Sequence, residues 1–456
     1  MRTRLQGRDK ARAVVFAFLA LILAALLLGG CMNNADANAD QSEQKTIVIG
    51  IHDKGAYYSS YGDFISAAFP DLKVELVEMD PDYAHPIAKA QYEQKLKDEK
   101  PDLLVGYDIR YKQLAADGLL TDLTTRMMDS KMKEDDFYPG MFEKLKRDGD
   151  GSLFAVSPIL QASVLYYNAD LFRKYNIPLP QNGMTMTDVM QLASQFARAG
   201  SNKDGIVGYH QPLSSMPNNL LYTLSYKEGN APWPYNFQTG KVTVDTPAWR
   251  SIIKTVIDLY KNGTFKMQDI KGESKDGEVW YGPDAVSEAD LFKQGKSALT
   301  IASYNEMNGM PFEVGSVTPP VSPVDNRSSD MGIYNYMAIP AGAEHADTAW
   351  EVTAFMLSDY MAKVRSGLQD QYVLPTRKSY MKYDHNPILP QLYEILPSID
   401  QSYPNEGYDP KFMPMFNDLE DREITAAVNG EKSVEAAIAT MQKEGQALMD
   451  AAKPKK

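Results

Sequence analysis

Three short apolar runs separated by helical stretches open the folded part of this chain, and they dictate its architecture. Residues 45–51 (KTIVIGI) form a near-continuous β-branched run, which suits a strand buried on both faces of a parallel sheet. A helical stretch over 63–69 is stopped by Pro70. Residues 72–77 (LKVELV) alternate as a second strand, a polar helix covers 87–97, and residues 101–106 (PDLLVG) supply a third strand. Strand, helix, strand, helix, strand predicts parallel α/β layering, with ligands held beyond the carboxyl ends of the strands. A length of 456 residues gives room for two or three such units.

Later helices announce themselves by their ends. Thr185 and Asp188 stand in capping-box spacing ahead of a helix to residue 199, with Val189, Leu192, Ala193 and Phe196 on one face. A helix over 247–261 starts at its proline and stops at Asn262 and Gly263. Residues 346–357 and 433–449 carry two more. Trp249 and Trp350 fall on amphipathic stretches and are expected in the core. Residues 148–151 (DGDG) read as a hairpin turn rather than a calcium loop, because the further spaced carboxylates of an EF-hand are missing. No period of 20 to 50 residues repeats, which excludes solenoids and propellers.

Composition narrows the chemistry. The formal charge of −13 argues against nucleic acid as a partner. One cysteine excludes a disulfide framework within the chain and a Cys-based zinc site. The five histidines are scattered, and neither a G-x-S-x-G elbow nor a phosphate-binding glycine loop is present. No metal, no cofactor and no catalysis are expected.

The first 31 residues have a different job. Arg2, Arg4, Arg8, Lys10 and Arg12 form a basic flank, followed by an apolar run over 13–28. At about 1.5 Å per residue that run spans roughly 24 Å, short for a transmembrane helix and suited to a processed export signal. It ends in Leu28, Gly29, Gly30 and Cys31, which resembles the lipobox of bacterial lipoproteins. The resemblance implies that residues 1–30 are a signal peptide and that the Cys31 thiol takes a diacylglycerol, leaving the protein anchored to the cell membrane on its extracytoplasmic face. Residues 31–44 then read as the anchor and a polar, flexible tether.

Five segments in order carry a second resemblance. Residues 114–123 (LAADGLLTDL), 152–158 (SLFAVSP), 165–175 (LYYNADLFRKY), 292–299 (FKQGKSAL) and 374–377 (LPTR) are similar to stretches of family 1 extracellular solute-binding proteins. The chain departs from the pattern at 184–188 (MTMTD), where the family usually has Thr-Trp-Asp-Glu, and at Tyr304, where sugar binders often carry tryptophan. The resemblance implies a two-lobed, periplasmic-binding-protein-like α/β fold with a ligand cleft between the lobes. Lobe one would hold residues 45–160 plus 332–360, and lobe two residues 161–331 plus 361–450. The implied function is capture of a small polar solute, a mono- or oligosaccharide, by a monomer that delivers it to the permease subunits of an ABC transporter. Two other readings stay open: a surface glycan-degrading lipoprotein, and a sugar-sensing accessory of a receptor kinase.

The resemblance and the strand ends together nominate a site. After the first strand, Tyr57 and Tyr58 sit in a Tyr/Ser-rich loop that either meets a sugar with rings and hydroxyls or packs on its lobe. Tyr107 and Asp108 follow the third strand. Asp108 would accept hydroxyl protons from a saccharide, or cap the following helix. Gln161 and Ser163 fall at the first crossover. Trp233, Trp280, Tyr281, Tyr304 and Asn305 fall in lobe two, with the two tryptophans either stacking on ligand or stapling loops. Arg377 is expected to pair with a carboxylate.

Overall fold

The computed structural model describes residues 45–80, 87–107, 110–211, 217–228, 233–267, 273–275, 278–280, 282–333, 335–368, 373–399 and 408–453. Cys31, Asp108 and Tyr281 lie outside these. In chain order the strands are β1 (Thr46–Ile51), β2 (Lys73–Glu78), β3 (Leu103–Tyr107), β4 (Ala155–Val156), β5 (Ile159–Asn168) and β6 (Val207–Tyr209). Two small hairpins follow, β7 (Tyr235–Asn236) with β8 (Lys241–Val242) and β9 (Glu273–Lys275) with β10 (Glu278–Trp280). Then come β11 (Ser297–Ser303), β12 (Val314–Val317), β13 (Met331–Gly332), β14 (Asn335–Ala338) and β15 (Val373–Pro375).

The first sheet has the order β2-β1-β3-β14-β4. β1 is central and buried, with Ile47 and Ile49 wholly inaccessible. It runs parallel to β2 and β3, placing Ile49 opposite Leu76 and Leu103. β2 is the edge strand, and its alternating sequence shows as alternating exposure. β14 returns antiparallel to both β3 and β4. The expected parallel α/β opening is present.

The second sheet has the order β12-β5-β11-β6. β5 joins the two systems. Its later residues pair with β11 and β12, whereas Ile159 to Ala162 pair with β15 on one side and β13 on the other. Two hydrophobic cores result. The first gathers around Ile49, Leu103, Phe142 and Met337, and the second around Leu165, Phe196, Ile253 and Phe416. Each fully buried side chain of this size contributes about 1.5–3 kcal/mol.

The helix ends behave as the sequence dictates. Asp188 N–H donates to Thr185 Oγ1 at 3.1 Å and Thr185 N–H donates to Asp188 Oδ2 at 2.9 Å, closing the capping box of helix Met186–Arg198. Helix Pro247–Lys261 begins at its proline and ends at Asn262. Trp249 and Trp350 are buried.

One expectation differs from the structure. Residues 148–151 are not a hairpin turn. They close helix Pro139–Asp148, with Gly151 N–H donating to the Lys146 carbonyl at 2.7 Å, because Phe142 and Leu145 bury that helix on the first core. The segment after residue 360 packs largely on the first core. Met361, Ala362, Tyr380, Leu389 and Tyr393 pack into the first core, and the second core resumes at Phe412. The cause is local. Ser358 accepts from Met361 N–H at 3.2 Å and starts helix Asp359–Ser366 directly after helix Ala346–Met356. Tyr138 then donates to the Ile395 carbonyl at 2.5 Å, holding the far end of the segment to the same core.

Candidate functional site

Parallel β1 and β3 release the chain at the same edge of the first sheet, with His52 just past β1 lying beside Gly106 of β3. Gly106, with φ of 124°, has room for a Cβ only 4.0 Å from that of His52. Asp53 accepts from Ala56 N–H at 2.7 Å and starts the short helix Lys54–Tyr57. The two tyrosines of the loop take opposite roles. Tyr57 is 4% exposed and packs on the first core, and burial pushes the pKa of its hydroxyl well up. Tyr58 is 51% exposed, with its ring edge-on to Tyr57 at 5.4 Å. Tyr58 is therefore the face offered to solvent, and Tyr57 its support.

The strand crossing adds the second wall. β5 is buried along most of its length, yet Gln161 is exposed. It is flanked by Gly332 of β13 and Val373 of β15. Tyr107 at the end of β3 pairs with Asn335, three residues beyond Gly332 in the sequence. Tyr304 N–H donates to the Ala162 carbonyl at 2.9 Å, next to Gln161. The backbones of Tyr107, Gln161 and Tyr304 thus converge on the crossing.

Around Tyr304 lies a cavity of about 290 Å³, bounded among others by Tyr166, Asn305, Asn308, Phe312 and Asn386. That is the volume of roughly ten waters at about 30 Å³ each. Asn305 adopts φ of 66° at its turn, a left-handed conformation that asparagine tolerates better than most residues. Tyr304 is only 2% exposed. Its hydroxyl donates to Asp384 Oδ2 at 3.0 Å, an oxygen that also accepts from the Tyr380 hydroxyl at 2.8 Å. Burial first, and then the Asp384 charge, push the Tyr304 pKa far up, so the phenol keeps its proton. The lining offers uncharged amide donors and acceptors beside aromatic rings, which is the chemistry of a neutral polyhydroxylated ligand.

The two nominated tryptophans pair locally. Trp233 packs 5.6 Å from Tyr222 and 5.8 Å from Tyr235 in an aromatic group of the second core. Trp280 pairs with Glu273 in the β9–β10 hairpin, which joins neither main sheet. Arg377 donates to Asp359 Oδ1 at 2.7 Å and covers the Phe137 ring at 4.7 Å, the structural pairing expected of it. Asp384 and Asn386 were not nominated by the sequence reading. Their signal is the run Asp384, His385, Asn386, Pro387, in which Asn386 N–H bonds Asp384 Oδ1 at 3.1 Å and Ile388 N–H bonds Asn386 Oδ1 at 3.2 Å, two successive Asx turns. Among the described residues no three His, Cys, Asp or Glu side chains gather in a way that could hold a metal.

Comparison with known proteins places this geometry. No curated protein matches the sequence. Solved structures do match in fold. An ABC substrate-binding protein from Listeria monocytogenes in complex with cycloalternan aligns with a TM-score of 0.53 at 18% identity, covering 90% of this chain and 100% of that one. The sugar-binding protein MalE from Xanthomonas citri gives 0.56 at 15% identity, over 89% and 98%. UgpB from Mycobacterium tuberculosis, in complex with glycerophosphocholine, gives 0.53 at 18% identity, over 89% and 98%. At these identities the likeness concerns the fold. The sequence profile described as bacterial extracellular solute-binding protein matches residues 53–363. With a matched span of that length and two α/β systems joined through β5, the chain belongs to the bacterial extracellular solute-binding protein family.

Proposed function

We propose that this protein captures a small polar solute, a mono- or oligosaccharide, at the strand crossing and delivers it unaltered to the permease subunits of an ABC transporter. The observation that carries the reading is the crossing itself: an exposed Gln161 between β13 and β15, beside a cavity edged by three asparagines. Uncharged amides and tyrosines bond hydroxyls without demanding a charge, and Tyr58 supplies a ring for the C–H face of a sugar. The cycloalternan-bound and sugar-binding relatives support carbohydrate, while the glycerophosphocholine complex shows that the same fold takes a charged polar solute. Closure of two α/β lobes about β5, β13 and β15 is the hinge motion such a layout permits.

The protein acts from the membrane surface in this reading. Cys31 carries the lipid, and two acyl chains give firm attachment at about 0.8 kcal/mol per buried CH₂. Among the described residues no helix is long and apolar enough to cross a membrane. Cys31→Ser is expected to move the protein from the membrane fraction to the soluble fraction; retention in membranes would remove the anchor.

A thermal-shift screen against mono- and oligosaccharides, short peptides, polyamines and glycerophosphodiesters tests the ligand class. A solute at about 100 times its Kd adds about 2.7 kcal/mol and raises the midpoint measurably. Shifts confined to a saccharide series support the reading. A shift with only peptides or amines would replace the carbohydrate.

A further inference from the structure

The loop that presents Tyr58 is wound as a π-helical turn, Tyr58–Gly62, between helix Lys54–Tyr57 and helix Asp63–Ala68. Such turns are rare, and their wider spacing disturbs the ordinary hydrogen-bond ladder. One tie holding this turn comes from far along the chain. Arg365 Nη2 donates to the Ser60 carbonyl at 2.7 Å, across 305 residues of sequence. The same guanidinium lies 5.2 Å from the centroid of the Phe64 ring, on the helix that follows the turn. Arg365 is 2% exposed and its two partners are half-buried, so its guanidinium is largely shielded from water, which strengthens a charge-assisted hydrogen bond and a cation–π contact. Ser59 Oγ meanwhile donates locally to the Ala56 carbonyl at 3.1 Å.

We propose that Arg365 is a positioning residue for ligand binding: it grips the π-turn at Ser60 and the following helix at Phe64, and so fixes the ring of Tyr58 at the sheet edge. This rests on the reading that Tyr58 faces the solute. Arg365 sits near the end of helix Asp359–Ser366, ahead of β15, which pairs with Gln161. The tie therefore joins the aromatic loop to the helix that precedes β15 in the chain. A planar guanidinium reaches a carbonyl and covers a ring at once, whereas an ammonium does one or the other.

The test uses the full chain with Arg365→Gln, Arg365→Lys, Tyr58→Ala and the Gln/Ala double variant. Hydrogen–deuterium exchange reads the turn directly, because local opening sets the rate. Exchange at residues 58–62 is expected to rise about tenfold in Arg365→Gln and less in Arg365→Lys, which keeps the charge. Should the Gln variant not fold, the Lys variant carries the comparison. Titration with maltotriose is expected to show about tenfold weaker binding in each single variant and no further loss in the double, the non-additivity of residues acting through one another. Unchanged exchange at 58–62, or losses that simply add, would overturn the proposal. If maltotriose does not bind the unmodified protein, that sugar is excluded as the ligand, while the exchange result still decides whether Arg365 holds the turn.

Discussion

Glu420 is a carboxyl group with 1% of its surface exposed, set in the second core beside the Tyr222 hydroxyl. Burial raises its pKa well above the ordinary carboxylate value, and the nearby Tyr222 hydroxyl offsets only part of that. Neighbouring Asp421 is pushed up to about 6, again chiefly by burial. The fold therefore keeps a proton at Glu420 that the unfolded chain releases above its ordinary value of about 4.5. Stability attributable to this group is complete below that pH and declines as pH rises toward the folded value, by at most about 1.4 kcal/mol per pH unit. Glu420→Gln, which cannot ionise, is expected to unfold at higher denaturant than the unmodified protein at pH 8 and to lose that advantage at pH 4. A pH-independent difference would contradict the assignment. Such burial was not legible in the sequence, where Glu420 sits in an acidic run, Asp418 to Glu423, that looks solvated. Periodicity places Trp249 and Trp350 in the core correctly, but it cannot tell which of two adjacent tyrosines packs inward. Tyr57 and Tyr58 are separated by where their loop folds, not by their type.

Between elements, two contacts decide stability. Helix Met186–Arg198 lies directly on β6. A Cβ at Gly208 would meet the Ala193 carbonyl oxygen at 2.1 Å, and backbone cannot move aside as a side chain does. Gly208→Ala should lower stability by about 1–3 kcal/mol in urea unfolding; a neutral result would mean that the helix sits farther out. Helix Pro217–Glu228 is held to the crossing by the buried ion pair of Lys227 with Asp330, whose own carbonyl accepts from Ser163 N–H at 2.9 Å. Lys227→Met leaves a buried carboxylate unpaired and is expected to cost about 3–5 kcal/mol, and adding Asp330→Leu should restore part of it. A loss in the double equal to the sum of the Lys227→Met and Asp330→Leu losses would show that the pair is not coupled. Elements with marked ends were legible: the capping box at Thr185, and the proline start and Asn262 stop of helix Pro247–Lys261. Helix Pro139–Asp148 was not, because Pro139 and Gly140 at its start imitate a turn.

On the scale of the whole molecule, the fold is two α/β systems sharing β5, and the family could be read from five segments of sequence. The candidate site was legible only in part. Hydrophobic pattern says which face of a strand is buried, not which strand lies beside it. The pairing of Gln161 with both Gly332 and Val373 joins residues far apart in sequence. The same limit hid Asp384, whose value comes from receiving Tyr304 and Tyr380 together. Trp233, nominated as a loop aromatic, is partly buried against the second core, where Tyr222 and Tyr235 lie beside its ring.

The central claim is that one polar solute is held at the crossing and released unchanged. Equilibrium dialysis of the full chain against the solute that gives the largest thermal shift tests it, with mass spectrometry of the recovered solute. One solute per chain, recovered intact, with binding weakened about tenfold by Gln161→Ala, is the predicted result, equivalent to about 1.4 kcal/mol. A chemically altered solute, or binding indifferent to Gln161→Ala and Tyr58→Ala, would contradict it.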